Sequence, residues 1–248
     1  DNYVWTARRL VADANLNGKP QRVVSYLPLS HVAGQMVDLF CTVAAGAEIT
    51  FADASALQGS LITYLQEVRP TIFFSVPRVW EKIEEQMKKI ASNNGPIKQK
   101  IAIWGKKRGL KGTLKELQGE RTSLGYKIAQ KIVFQNIKKA LGLDKAQLLV
   151  YGAAPLANEI REYFLSLNFF LINAYGMSEN SGPATWQTWD KGYKANMKSA
   201  GPKLRGSEVL IFAPDKGGEG EICFRGRNCF SGYFKNEEET KKTIDQDR

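Results

Sequence analysis

Histidine is almost missing from this sequence: His31 is the only one in 248 residues. A His-rich metal site is thereby excluded. Cysteine is scarce as well. Cys41, Cys223 and Cys229 are odd in number and share no metal-ligand spacing. Reduced thiols in a cytosolic compartment are the simplest reading. No apolar run approaches the roughly 20 residues of a membrane-spanning helix. The opening Asp1-Asn2-Tyr3 is not the start expected of a signal peptide.

Acidic residues are missing from one long stretch. Between Lys88 and Lys139 there are fourteen Lys and Arg against two acids, Glu116 and Glu120. The formal net charge is +10, yet the rest of the chain holds 21 basic and 23 acidic residues, a net of −2. The basicity belongs to one segment and not to the fold. Aromatics there are too few and too scattered for base stacking, so no nucleic-acid partner is expected. Two readings stay open: a solvated helical hairpin packed on the domain, or a surface for anionic lipid centred on Lys106, Lys107 and Arg108.

What is present is an alternation of short apolar runs and helical patterns. Asp1-Asn2 is placed to cap a first helix carrying Val4, Ala7, Leu10 and Val11. Arg22 to Leu27 reads as a strand stopped by Pro28, followed by an apolar helix to about Ala45. Ala47 to Phe51 and Thr71 to Val76 read as further strands, with a helix between them from Ser60 to Val68. From Glu81 to about Lys139 the pattern is helical, with a break at Asn93-Asn94-Gly95-Pro96 and another expected at Gly109 and Gly112. Ile97, Ile101 and Trp104 mark one apolar face there, and Ile128 and Ile132 mark a second. Thr185 to Lys198 reads as a loop. Glu208 to Phe212 and Gly220 to Arg225 read as antiparallel strands, and a helix starts near Asn236. The fold class is α/β: a mostly parallel sheet flanked by helices, a helical insertion, and a small β-rich subdomain at the C-terminal end. The expected divisions are 1–87, an α/β region; 88–145, the basic insertion; 146–200, a second α/β region; and 201–248, the β-rich part.

Two strand ends carry the chemistry. Leu148-Leu149-Val150-Tyr151 empties into Gly152-Ala153-Ala154-Pro155-Leu156. Phe169-Phe170-Leu171-Ile172 empties into Asn173-Ala174-Tyr175-Gly176-Met177-Ser178-Glu179-Asn180. In open α/β sheets ligands bind outside the carboxyl ends of strands. There Tyr175 offers a face to a base and Gly176 a close backbone approach. Ser178 offers a donor to phosphate, and Glu179 a hard oxygen ligand for Mg²⁺ shared with phosphates. The plain alternative is a polar turn in which Ser178 and Glu179 only cap the next element. Gly217-Gly218-Glu219-Gly220 is not a phosphate loop, because no Lys-Ser/Thr follows and a strand comes next.

Gly-Ala-Ala-Pro-Leu followed by Tyr-Gly-Met-Ser-Glu resembles the adenylate-forming superfamily and, within it, the long-chain acyl-CoA synthetases. The resemblance runs over nearly the whole chain. With Tyr26-Leu27-Pro28-Leu29-Ser30-His31 and Val76-Pro77-Arg78-Val79-Trp80 it is closest to the bubblegum-type members. It implies part of the large N-terminal domain of such an enzyme. Gly152, Ala153, Ala154, Pro155, Ala174, Tyr175, Gly176 and Met177 would then frame the nucleotide together with Ser178 and Glu179. Glu179 would hold the metal. Ser178 departs mildly from the family, which more often has threonine. His31 would lie over the acyl and nucleotide sites, making Ser178, Glu179 and His31 the catalytic set; read without the resemblance, His31 is an ordinary structural histidine. Trp80 would gate the fatty-acid tunnel, against a plain reading as a core aromatic. Ser231-Gly232-Tyr233-Phe234 resembles a structural motif of the family.

The implied reaction joins a long-chain fatty acid to coenzyme A, using ATP and Mg²⁺, through an acyl-adenylate with release of AMP and pyrophosphate. The family's phosphate loop, ribose-binding aspartate and C-terminal catalytic lysine have no counterpart here. The chain is therefore expected to be an internal fragment with little turnover alone, cytoplasmic or peripheral on membranes. Two alternatives remain: an adenylate-forming ligase of other acyl specificity, and a non-catalytic fatty-acyl or nucleotide binder.

Overall fold

The computed structural model describes residues 1–187 and 199–244. Among these, a six-stranded sheet forms the centre. Its strands are β1 (Arg22–Ser25), β2 (Glu48–Phe51), β3 (Ile72–Ser75), β4 (Leu148–Gly152), β5 (Leu171–Met177) and β6 (Gly182–Trp186), in spatial order β2-β1-β3-β4-β5-β6. The first five are parallel and β6 is antiparallel on β5. The short runs of Val, Ile, Leu and Phe suit a sheet covered on both faces. Period-two alternation sends Val23, Ile72, Leu148, Val150 and Ile172 to one core and Val24, Phe73, Leu149, Tyr151 and Leu171 to the other.

The first core is closed by α1 (Asn2–Asp13) and by one helical run behind β1. That run begins as α2 (Val32–Gly34), passes through a π-helical stretch (Gln35–Cys41), and ends as α3 (Thr42–Ala45). Such π segments are rare and often mark functional places. Asp1 is the N-cap of α1 by position but makes no capping hydrogen bond; its carboxylate takes a bidentate grip from Arg227, at 2.7 Å from Nη2.

The second core lies under α4 (Leu61–Val68), α5 (Pro77–Ser92), α6 (Pro96–Leu117), α7 (Leu124–Ala129), α8 (Gln135–Ala140) and α9 (Asn158–Leu165), with a second π stretch, Gln130–Phe134, joining α7 to α8. α5 starts four residues before the helical pattern was expected, because Pro77 sits at its first turn where no backbone donor is needed.

The breaks expected at Gly109 and Gly112 do not occur, and α6 runs through both. A Cβ on Gly109 would lie 1.8 Å from the Ser166 carbonyl oxygen, and one on Gly112 would lie 2.0 Å from the Tyr126 ring. The glycines let α6 approach its neighbours; they do not end it. The expected apolar faces are also turned. Tyr126, Ala129, Val133 and Phe134 are buried, whereas Ile128 and Ile132 face solvent, as do Ile97 and Ile101 on α6.

Beyond the main sheet, β7 (Ser207–Phe212) and β8 (Glu221–Gly226) pair antiparallel, and α10 (Glu237–Thr243) follows with Asn236 as its cap. The expected loop from Thr185 was placed too early. Thr185 and Trp186 complete β6, and positions 188–198 lie outside the described residues.

Candidate functional site

The two motif stretches stand side by side because β4 and β5 pair in register, Tyr151 with Asn173 and Gly152 with Ala174. A Cβ on Gly152 would lie 2.7 Å from the Ala174 carbonyl oxygen, so glycine closes this pair. Past it, Ala153 adopts φ +68°, a turn that alanine makes under strain. Ala153, Ala154 and Pro155 are exposed at the strand end. On β5 the register slips between Tyr175 and Gly176. A Cβ on Gly176 would lie 1.8 Å from the Gly182 carbonyl oxygen. Gly176 is thus required by the β5–β6 crossing, not only by a ligand as the sequence suggested.

Beneath this edge lies a cleft with about 940 Å³ of empty space, partly open to solvent. Its mouth is formed by His31, Gly152, Ala153, Gly176 and Met177. It continues between the first sheet face and the helices, past Met36, Val37 and Cys41 of the π stretch, to Ala14, Leu16, Val23, Ile72 and Leu148. Val23, Ile72 and Leu148 stand at the opposite, amino ends of their strands, and Ala14 and Leu16 lie just past α1. The walls are almost wholly apolar. The structure therefore brings His31 to the same opening as the two strand ends, across more than a hundred residues of sequence.

His31 caps α2: its Nδ1 accepts from the Ala33 amide at 3.1 Å. With Nδ1 occupied as an acceptor, the neutral ring carries its proton on Nε2. Tyr175 is 38% exposed and lies beside Phe224, with ring centroids 6.4 Å apart. The two rings are tilted by 38°, and part of Tyr175 remains exposed. Ser178 to Asn180 form a single 3₁₀ turn held by the Asn180 carboxamide, which accepts from the Met177 amide at 3.0 Å. Ser178 is exposed on that turn. Glu179 is fixed from both ends. Its carbonyl accepts from the Phe230 amide at 2.6 Å, and its Oε1 accepts from the Tyr233 hydroxyl at 2.8 Å.

Among the described residues no group of three or more His, Cys, Asp or Glu side chains could hold a metal unaided. A half-buried carboxylate such as Glu179, whose Oε2 has no partner among the described residues, suits Mg²⁺, which commonly takes one or two protein carboxylates and fills its shell from phosphates and water.

A buried polar pair lies behind the cleft and was not foreseen. Ser25 Oγ donates to Asp38 Oδ2 at 2.7 Å, and Asp38 is only 4% exposed. Burial pushes its carboxyl up to about 6, and the Ser25 bond offsets only part of that. Burial, aided by the Asp38 charge, pushes the Cys41 thiol up to about 12. Cys41 is therefore a protonated, unreactive wall residue at neutral pH. An aspartate in an apolar run gave no signal of its role, because only the π stretch turns it inward.

Trp80 does not sit at the cleft. It is fully buried on the opposite face of the sheet, edge-on to Phe73 at 5.3 Å and to Phe164 at 5.2 Å. The structure does not bring it to this opening: the register of β3 and the entry into α5 place it in the other core.

A family model described as AMP-binding enzyme matches residues 1–234. The long-chain-fatty-acid–CoA ligase ACSBG2 of Gallus gallus is 43% identical over 251 residues, an alignment that takes in 100% of this chain and 32% of the relative. The chain thus spans about a third of that relative's length. Apo MatB from Rhodopseudomonas palustris superposes with a TM-score of 0.66 at 18% identity, covering 100% of this chain and 40% of MatB. O-succinylbenzoate CoA synthetase (MenE) from Bacillus subtilis, in complex with ATP and magnesium ion, gives 0.60 at 16% identity over 99% of this chain and 41% of MenE. At these identities the two structures show the fold alone, which the chain shares with MatB and MenE.

Proposed function

The chain belongs to the AMP-binding enzyme family, and on that premise we propose that it serves a long-chain fatty acid–CoA ligase, carrying the acyl slot, the adenine wall and the metal carboxylate. The observation that carries this reading is the apolar cleft that opens between His31 and the ends of β4 and β5. A fatty acyl chain is the substrate whose chemistry matches such a slot. Each buried methylene contributes about 0.8 kcal/mol. Ten of them would supply on the order of 8 kcal/mol before the costs of association. The tail therefore holds the substrate, and the carboxylate at the mouth is left free to react.

In the first step the substrate carboxylate oxygen bonds to the α-phosphorus of ATP, and the bond from that phosphorus to the pyrophosphate oxygen breaks. In the second the coenzyme A thiol bonds to the acyl carbon and AMP leaves. Protein groups assist such chemistry by positioning and by offsetting charge. His31, with its proton on Nε2, would donate to the substrate carboxylate and hold it at the mouth. Tyr175 would cover the adenine with its exposed ring, alongside the backbone of residues 152–155 and 174–177. Ser178 would donate to a phosphate oxygen. Mg²⁺ would supply neutralisation of phosphate charge, with Glu179 as its protein ligand. ATP and magnesium are named for MenE, and the ligase activity for the chicken relative.

The direct test is fatty-acid-dependent ATP–pyrophosphate exchange by the full-length protein. Exchange that needs a long-chain acid and Mg²⁺ supports the reading. A folded protein that binds fatty acid but supports no exchange would instead be a non-catalytic binder.

A further inference from the structure

The catalytic reading leaves one buried ionisable group without a task. Asp38 stands in the middle of the π stretch whose Met36, Val37 and Cys41 line the cleft. Its partner is Ser25, the last residue of β1, whose Oγ donates to Asp38 Oδ2 at 2.7 Å. Both residues are only 4% exposed, so the pair is enclosed by this chain's own sheet and helices. Between its two ends run residues 26–37, the segment that carries His31 to the mouth and Met36 and Val37 to the wall. One hydrogen bond thus closes the loop that holds both. Thr42 Oγ1 donates to the Asp38 and Leu39 carbonyls and fixes the far end of the π stretch.

No opposite charge compensates this carboxyl. Among the described residues Asp38 has no ion pair, and its Oδ1 has no partner. Cys41 and Tyr26, the titratable groups its charge reaches, are both pushed up by burial and stay neutral. The Tyr26 hydroxyl is engaged by Ser75 at 2.8 Å. On α1, which packs along the π stretch, Tyr3 lies against Phe40, Arg9 over the Trp5 ring and Asp13 against Arg205, while Arg8 is exposed. α2 adds only its cap, His31, exposed at the mouth, and α3 adds no titratable group. Arg22 of β1 donates to the Val68 and Arg69 carbonyls. An ionised carboxylate here keeps a single neutral donor, whereas the neutral acid leaves no charge behind an apolar wall. Burial already pushes this carboxyl up to about 6. A hydrocarbon tail in the cleft would displace water from the other side of the wall and disfavour the charged form further. By reciprocity, a bound proton then favours the tail.

We propose that Asp38 is a positioning residue for the acyl substrate: through Ser25 it ties the π wall to β1, it does so as the neutral acid, and the grip on the tail weakens when it ionises. The inference rests on the reading of the cleft as an acyl slot. The test is calorimetric binding of dodecanol, a tail without a titrating group, to the full-length protein between about pH 5 and about pH 8. The parent should bind about tenfold more weakly at the upper end than at the lower. Asp38→Asn, neutral throughout, should bind with one affinity across the range. Ser25→Ala removes the donor that favours the charged form, so the fall in affinity should move to higher pH, a shift that a mere loosening of the fold would not produce. Unchanged circular dichroism confirms that each variant is folded. Parallel profiles for the parent and Asp38→Asn, or a flat profile for the parent, overturn the inference. Absence of dodecanol binding at every pH overturns the acyl-slot reading itself, and the inference with it.

Discussion

The Tyr233 hydroxyl donates to Glu179 Oε1 at 2.8 Å, across 54 residues of sequence. The carboxylate proposed to meet the metal is therefore oriented by the segment that follows β8. Removing the charge with Glu179→Gln should lower ATP–pyrophosphate exchange roughly 100-fold, equal to about 2.7 kcal/mol of transition-state stabilisation. Tyr233→Phe keeps the carboxylate but frees its orientation. It should raise the Mg²⁺ concentration needed for half-maximal exchange several-fold while leaving the rate at saturating Mg²⁺ within about threefold of the parent. A magnesium titration of both variants separates the two roles. An unchanged magnesium requirement in Tyr233→Phe would remove the orienting role.

Glycine in α6 should behave against its intrinsic propensity. Gly→Ala inside a helix ordinarily stabilises by about 1 kcal/mol. Gly109→Ala must push into the Ser166 carbonyl and Gly112→Ala into the Tyr126 ring. Each should destabilise, by roughly 1–3 kcal/mol. Gly125→Ala meets only the Arg108 side chain at 3.6 Å and should stabilise. Urea midpoints of the three variants check the contrast.

Asp38 sets a pH dependence of stability. In the unfolded chain its carboxyl ionises near the usual value of about 3.9; in the folded chain it holds its proton to about 6. Between these values the folded state binds more protons. The stabilisation is present below about pH 4 and is lost as pH rises through about 6. The loss amounts to roughly 3 kcal/mol at 1.36 kcal/mol per pH unit. Asp38→Asn lacks this term, so the stability of the parent relative to the variant should fall between pH 4 and pH 7. Parallel urea-stability profiles for the two proteins would contradict the buried protonated carboxyl.

Trp80 tests whether the sheet face was read correctly. Trp80→Ala should cost about 3–5 kcal/mol of stability and leave the chain-length preference of exchange unchanged. A Trp80→Leu variant of intact fold but altered preference would return the residue to the acyl site.

Much of this was legible in the sequence because each element carried its own punctuation. Pro28 follows the end of β1 and Pro77 opens α5, and strands alternating with helices announced a mostly parallel sheet. The motif stretches fell at strand ends, where an open sheet binds ligands. What escaped was set by tertiary contact. Gly109 and Gly112 read as breaks because propensity carries no information about Ser166 or Tyr126. Ile128 and Ile132 read as one apolar face, but the buried face is the one that carries Tyr126, Ala129, Val133 and Phe134. Trp80 reads either as a gate, implied by the resemblance, or as a core aromatic, because nothing in Val-Pro-Arg-Val-Trp tells which face of the sheet it will meet. The cleft itself is lined from α1, the π stretch and five strands, a combination no local pattern contains.

The chain-length profile of exchange with Ala14→Phe is the most direct check on the slot. Ala14 lines the cleft just past the end of α1 and is no part of the His31 segment or the strand-end motifs, so a ring placed there should take up space for the tail. The full-length variant should lose at least about tenfold in kcat/KM with the longest acids, roughly two buried methylenes at 0.8 kcal/mol each, and keep its activity on shorter ones. An unchanged profile, or an equal loss at every length, would contradict the assignment of this cleft to the acyl chain.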